Sequence, residues 1–149
     1  MGLTTRSLHL VNELKELDRL RSFLADSAGA YSLDDRTLYR LNLICDELVT
    51  NIVSYGYGEG EKGTRRIEVS LTGRPDGVEI RIADDGVPFD PLSRPAPDLS
   101  ADVDERGIGG LGIHFAKTLT DAALYTREGE RNVLRLTIKR LMPDEERTG

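Results

Sequence analysis

The sequence predicts an α+β domain: one mixed, mostly antiparallel sheet with helices on one face. Three observations carry this. The element order reads β-α-α-β-β-loop-α-β-β, with hairpins and helices in blocks rather than in strict βαβ alternation. Two long stretches place their apolar residues three and four apart, as a one-sided helix does. The strand-like stretches alternate apolar and polar residues, so each has one wet face.

In order, Thr4 to Leu10 is short and rich in Thr and Leu and reads as an opening strand, with His9 a surface residue that nothing pairs with. Val11, Leu14, Leu17, Leu20, Phe23 and Leu24 then mark a helix, with Glu13, Lys15, Glu16, Asp18, Arg19 and Arg21 on its polar side. Gly29 is placed to close it as a left-handed cap. Ser32 or Asp34 caps the next helix, Asp34 to about Tyr55, whose apolar stripe is Leu38, Leu41, Ile44/Cys45, Leu48 and Ile52. Tyr55 to Gly63 is glycine-rich and reads as a flexible loop. Arg65 to Leu71 and Val78 to Ala83 alternate around the turn Gly73-Arg74-Pro75-Asp76-Gly77 and pair as a hairpin. A proline-rich, then acidic loop runs from Asp84 to Arg106; a loop of that length inside a compact domain is either functional or disordered. Arg106 to Gly112 opens a helix through Ile113, Phe115, Ala116 and Leu119. Ala122–Thr126 and Asn132–Lys139 are the last strands, and Pro143 to Gly149 is a charged tail expected to be disordered, leaving residues 1–142 as a single domain.

Composition excludes several classes. A chain of 149 residues holds one domain with a real core. A net charge of −6 gives no basic footprint for nucleic acid. No apolar run reaches the roughly 18 residues a membrane span needs, and the N-terminus lacks a signal-peptide pattern, so a cytoplasmic protein is expected. A single Cys45, on the apolar side of its helix, allows no internal disulfide and reads as inert core.

Three stretches carry candidate chemistry. Glu47, Asn51 and Ser54 form a second stripe on the long helix, about 100° from Leu48, at the edge of the buried face, where polar groups either line a pocket or form a wet flank. Asp84-Asp85-Gly86 ends a strand: a carboxylate there can accept from an exocyclic amine while Gly86 admits a flat ring, or the triplet is a plain β-turn. Gly107-Ile108-Gly109-Gly110-Leu111-Gly112 precedes a helix, where free amides and a positive dipole end suit phosphates; a mobile hinge is the alternative. No Lys-Ser or Lys-Thr follows the glycines, which excludes the Walker loop, and no strand precedes them, which excludes the Rossmann turn. Arg106 either adds a charge to the phosphates or is a solvated loop residue.

In that order, Glu47-x-x-x-Asn51, Asp84-x-Gly86 and Gly107-x-Gly109-Gly110-x-Gly112 resemble the ATP-binding domain of the gyrase, Hsp90, histidine-kinase and MutL superfamily. The resemblance runs from Thr4 to Arg140 and implies an α/β sandwich of the Bergerat type. The chain most resembles the small anti-sigma-factor serine kinases of the RsbW and SpoIIAB type. It starts with the domain, without His-bearing dimerisation helices, and no transducer domain follows its last strand. Gly109 to Asp121 and Gly129-Glu130-Arg131-Asn132 look like that group's ending.

The resemblance implies roles for matching residues. Asn51 holds Mg²⁺ bridging the ATP phosphates, with Ser54 one turn beyond, and Asp84 takes the adenine amino group with Gly86 beside the ring. Gly107, Gly109, Gly110, Leu111 and Gly112 cradle phosphates, Phe89 to Arg106 is a lid, and Thr137 touches adenine through water. Glu47 is the base for an incoming serine hydroxyl. The family's γ-phosphate arginine has its counterpart in Arg106, although Gly107-Ile108-Gly109 separate it from Gly110 and the spacing is looser than usual. The implied activity is an ATP- and Mg²⁺-dependent serine/threonine kinase acting on a small anti-sigma-factor antagonist and silencing a sigma factor, as a homodimer. A nucleotide-dependent binding switch without transfer, or an ATP-binding piece serving a separate sensor or phosphatase, are the competing readings.

Overall fold

The computed structural model describes residues 4–93 and 119–139. They form two layers, a five-stranded sheet and a helical pair. The strands are β1 (Thr5–Val11), β2 (Arg66–Arg74), β3 (Gly77–Asp84), β4 (Ala122–Glu128) and β5 (Arg131–Lys139), in the spatial order β1-β2-β3-β5-β4. All four pairings are antiparallel, so the α+β class holds, with no parallel pair among the described residues. The helices are α1 (Leu17–Ala30) and α2 (Asp35–Tyr55).

Alternation decides which face of the sheet is buried. Ile67, Val69 and Leu71 of β2, Val78, Ile80 and Ile82 of β3, and Leu134, Leu136 and Ile138 of β5 point one way and pack with Leu20 and Leu24 of α1 and Leu41, Ile44, Cys45, Leu48 and Val49 of α2. Each such side chain contributes about 1.5–3 kcal/mol of burial. The outer face carries hydroxyl and charge pairs in register: Thr5 with Thr72 at 2.9 Å, Ser7 with Ser70 at 3.0 Å, and His9, Glu68 and Arg81.

Several local readings change. Val11 belongs to β1, paired with Arg66, because the ladder continues one residue past the expected end. A 3-10 turn, Leu14–Glu16, intervenes before α1. Glu16 is buried there rather than on a wet flank, bonded to Arg19 at 2.8 Å and to the Val11 amide at 3.4 Å. His9 is exposed as expected but meets Glu68 at 3.1 Å. Gly29 is not the left-handed residue; Ser32 is, at φ 54°. The Leu33 amide reaches Ala28 O at 2.9 Å and the Ser32 amide reaches Gly29 O at 3.4 Å, the Schellman pair that closes the helix one turn later. The loop after α2 is tied down despite its glycines. It holds a 3-10 turn at Glu59–Glu61, and Asn12, 2% exposed, clamps it by donating to Glu61 O (3.0 Å) and accepting from the Arg65 amide (3.0 Å). Strand β2 runs on to Arg74, so the hairpin turn shrinks to Pro75-Asp76.

Of the helix expected after Gly112, only Leu119 is among the described residues, and it packs against the core. The glycine run, Arg106, most of the expected lid and the tail lie outside them.

Candidate functional site

The core face does not end in apolar residues. One step beyond Ile82 and Leu134, the same row places Asp84 of β3 opposite Asn132 of β5, and Asn132 opposite Arg127 of β4. Asp84 is 5% exposed and Asn132 8%. Strand register, with its period of two, puts all three on the helix side of the sheet, where Asp84 and Asn132 are buried and Arg127, at the edge, is exposed.

Asp84 Oδ1 accepts from the Gly86 amide at 2.9 Å and from Asn132 Nδ2 at 3.1 Å. Its second oxygen takes no hydrogen bond among the described residues. Burial pushes the carboxyl above the usual range, with Asp85 adding to it, while Asn132, the Gly86 amide and Arg127 pull the other way. A shielded carboxylate with one oxygen to spare suits recognition of an N–H donor.

Gly86 answers first to the protein itself. A Cβ there would lie 2.5 Å from Gly56 O, and the Val87 amide donates to that carbonyl at 3.1 Å. The strap Gly86–Val87 is thus docked on Gly56, the C-cap of α2. Asn51 lies five residues back along α2, about 7.5 Å by helical rise, and Glu47 about 6 Å further. Asn51 is buried, Glu47 half-buried and Ser54 exposed. The expected stripe therefore grades from covered to wet, and Asn51 is the member held inside. Ser54 lines a cleft of about 470 Å³ with Asn12, Lys15, Val53, Tyr57 and Lys62, whose lining does not include Asp84, Gly86 or Asn132.

Thr137 does not join the cluster. It pairs with Glu79 and Ala122, five residues along β5 from Asn132 and on the outer face, because an odd offset reverses side-chain direction. Asn132 stands in the place expected of it. The available signal was parity: Asn132 keeps step with Leu134, Leu136 and Ile138, so it is a polar residue on the buried side of a strand.

Asp85, next to the site, is held away from it. Tyr57 Oη donates to Asp85 Oδ1 at 2.9 Å and Arg65 meets Oδ2 at 3.4 Å. Burial, with Asp85 nearby, pushes the Tyr57 phenol up, so it remains a donor. Cys45 is wholly buried and its thiol is pushed up to about 12 by burial, which leaves it inert.

Among the described residues no cluster of three or more His, Cys, Asp or Glu has metal-ligand geometry. A magnesium ion held mainly by phosphate oxygens needs only one or two protein oxygens, and the Asn51 amide, buried on α2, fits that demand. Asp84 likewise fits an adenine amino group. No described helix is long and apolar enough to cross a membrane.

Similarity agrees with this geometry. The family model of the histidine kinase-like ATPase domain matches residues 10–138. The chain is 31% identical to the serine/threonine-protein kinase BtrW of Bordetella bronchiseptica over 68% of its own length and 70% of that protein's. It is 32% identical to the serine-protein kinase RsbW of Listeria monocytogenes over 60% of its length, spanning 59% of that relative. In fold, it matches the RsbU and RsbW domains of a Mycobacterium tuberculosis protein with TM-score 0.63 and 15% identity, covering 92% of this chain and 32% of that one. A family match across nearly the whole sequence, with a buried carboxylate at the end of β3 and a buried amide on α2, means that the chain belongs to the histidine kinase-like ATPase domain family and, within it, to the family of BtrW.

Proposed function

We propose that this protein is an ATP- and Mg²⁺-dependent serine/threonine protein kinase. Its substrate is a small anti-sigma-factor antagonist, and it also sequesters a sigma factor, working as a cytoplasmic homodimer. The kinase reading is supported by membership of the BtrW family. The observation that carries the nucleotide is Asp84, buried at the end of β3 with one oxygen held and the other taking no hydrogen bond among the described residues, beside the cap of the helix that bears Asn51 and Glu47.

In this reading Asp84 Oδ2 accepts from the adenine 6-amino group. Asn51 contributes its amide oxygen to Mg²⁺, which when bound neutralises phosphate charge and orients the γ-phosphoryl group. Gly107, Gly109, Gly110, Leu111 and Gly112 offer amides to the phosphates, and Arg106 adds a cation. Glu47, one turn before Asn51 and half-buried, accepts the serine hydroxyl proton as the serine oxygen bonds to the γ-phosphorus and ADP leaves. Glu47, half-buried where Asn51 is buried, is the more reachable of the two for a protein substrate.

The test is transfer. Mg-ATP and a candidate antagonist should yield phosphoserine, and Glu47→Ala should lower the rate by roughly 10²–10⁴-fold with ATP affinity retained. Undiminished transfer in that variant would remove Glu47 from the chemistry. Tight ATP binding with no transfer to any antagonist would leave a nucleotide-dependent binding switch.

A further inference from the structure

We infer that Asn132 is a positioning residue for base selection: its carboxamide fixes Asp84 so that one carboxylate oxygen, and only one, faces the nucleobase. The inference rests on the nucleotide reading of Asp84 given above and goes beyond it by assigning the selectivity to a second residue.

The side chain is saturated. Nδ2 donates to Asp84 Oδ1 at 3.1 Å and to Val87 O at 2.8 Å. Oδ1 receives the Tyr125 hydroxyl at 2.6 Å, the Phe89 amide at 3.2 Å and Arg127 Nη1 at 3.2 Å. Only one orientation of the amide satisfies this set, since reversal would turn its NH₂ against the N–H groups of Phe89 and Arg127 and its oxygen against two acceptors. Asn132 therefore cannot flip to serve a ligand, and Asp84 cannot rotate without losing its partner. Arg127 closes the arrangement by also donating to Gly86 O at 2.9 Å. The same amide grips Val87 and Phe89, the first residues of the long loop, so carboxylate and loop root are set as one unit. A residue that only filled space would not require both amide atoms to be matched at 8% exposure.

A hydrogen bond from a base amine to a carboxylate discriminates by roughly tenfold to a hundredfold. The experiment compares binding of Mg-ATP with Mg-purine riboside triphosphate, which lacks the 6-amino group, by titration calorimetry. Wild type should prefer ATP by that factor, and Asp84→Asn should lose the preference. Asn132→Ala should lose it too while binding the amine-free analogue within about threefold of wild type, since the phosphates are untouched. Tyr125→Phe, which removes one donor to Asn132 and keeps the ring, should reduce the preference by about fivefold, and it decides the matter if Asn132→Ala does not fold. An unchanged ratio in these variants, with both nucleotides weakened equally, would overturn the inference and leave Asn132 a strut. If wild type shows no preference, or Asp84→Asn keeps it, the base assignment itself fails and the inference falls with it.

Discussion

Asp84 works against the stability of the empty protein. Its folded pKa is raised above the ordinary Asp value, first by burial. The folded state thus binds the proton better than the unfolded chain does. Stability is lost as pH rises from the unfolded value through the raised folded one, and the full cost is present above that window. Asp84→Asn, whose amide oxygen can still accept from Asn132 and the Gly86 amide, should therefore melt higher than wild type without ligand at neutral pH. The advantage should fade toward acid. The same variant should show no ATP-induced rise in melting temperature; a retained rise would remove Asp84 from the base site. Melting curves across pH, with and without nucleotide, read both effects. At this scale Asp84 and Gly86 were legible because Asp-x-Gly at a strand end is a local pattern. Asn132 was not, since its meaning depends on the partner that register places opposite it. The resemblance implies that Thr137 touches adenine through water, but parity places it on the outer face, away from Asp84.

Local chemistry explains where the elements stop. Asp34 caps α2 by accepting from the Thr37 amide at 3.2 Å. Burial raises its carboxyl, but hydrogen bonds from Thr37 and neighbouring amides outweigh that and hold it below the usual range. Asp34→Ala should cost about 1 kcal/mol, measured by urea unfolding. Because the folded pKa is depressed, this contribution is present above the unfolded value and disappears as pH falls through the folded one. Gly77 is a harder constraint. A Cβ there would drive into the backbone of Ile138 and Lys139 across the β3–β5 ladder, at φ 157°. Gly77→Ala should destabilise by about 1–3 kcal/mol, more than the same change at Gly58, where nothing lies within 4 Å. Helix α2 was readable almost to the residue because its apolar spacing, Asp cap and glycine end agree. The close of α1 was misplaced because Ser32, rather than Gly29, takes the left-handed position, and Leu33 draws it there by packing on the core.

Across the whole molecule, the site is a meeting of distant pieces. Residues 56, 84, 86, 87, 127 and 132 converge because the cap of α2 docks on the β3 strap while β5 and β4 bring Asn132 and Arg127 beside it. A ligand bound there stabilises the fold as a unit: ATP at a hundred times its dissociation constant should add about 2.7 kcal/mol to unfolding. Chelating Mg²⁺ should remove most of that gain if phosphate binding depends on the ion held by Asn51. An unchanged ATP shift in excess chelator would separate the metal from binding.

By itself the sequence determined the class of fold, the covered and wet faces of α2 and of the hairpin strands, and the three ordered motifs from which the family was readable. These are properties of periods and of short spacings, which a chain carries wherever its parts end up. Only the tertiary structure decided that β3 pairs with β5 in the register that sets Asp84 against Asn132, and that Gly86 is glycine because Gly56 presses on it. Register between strands some fifty residues apart follows from packing the whole core face under α1 and α2, and no local pattern encodes which residue will stand opposite which.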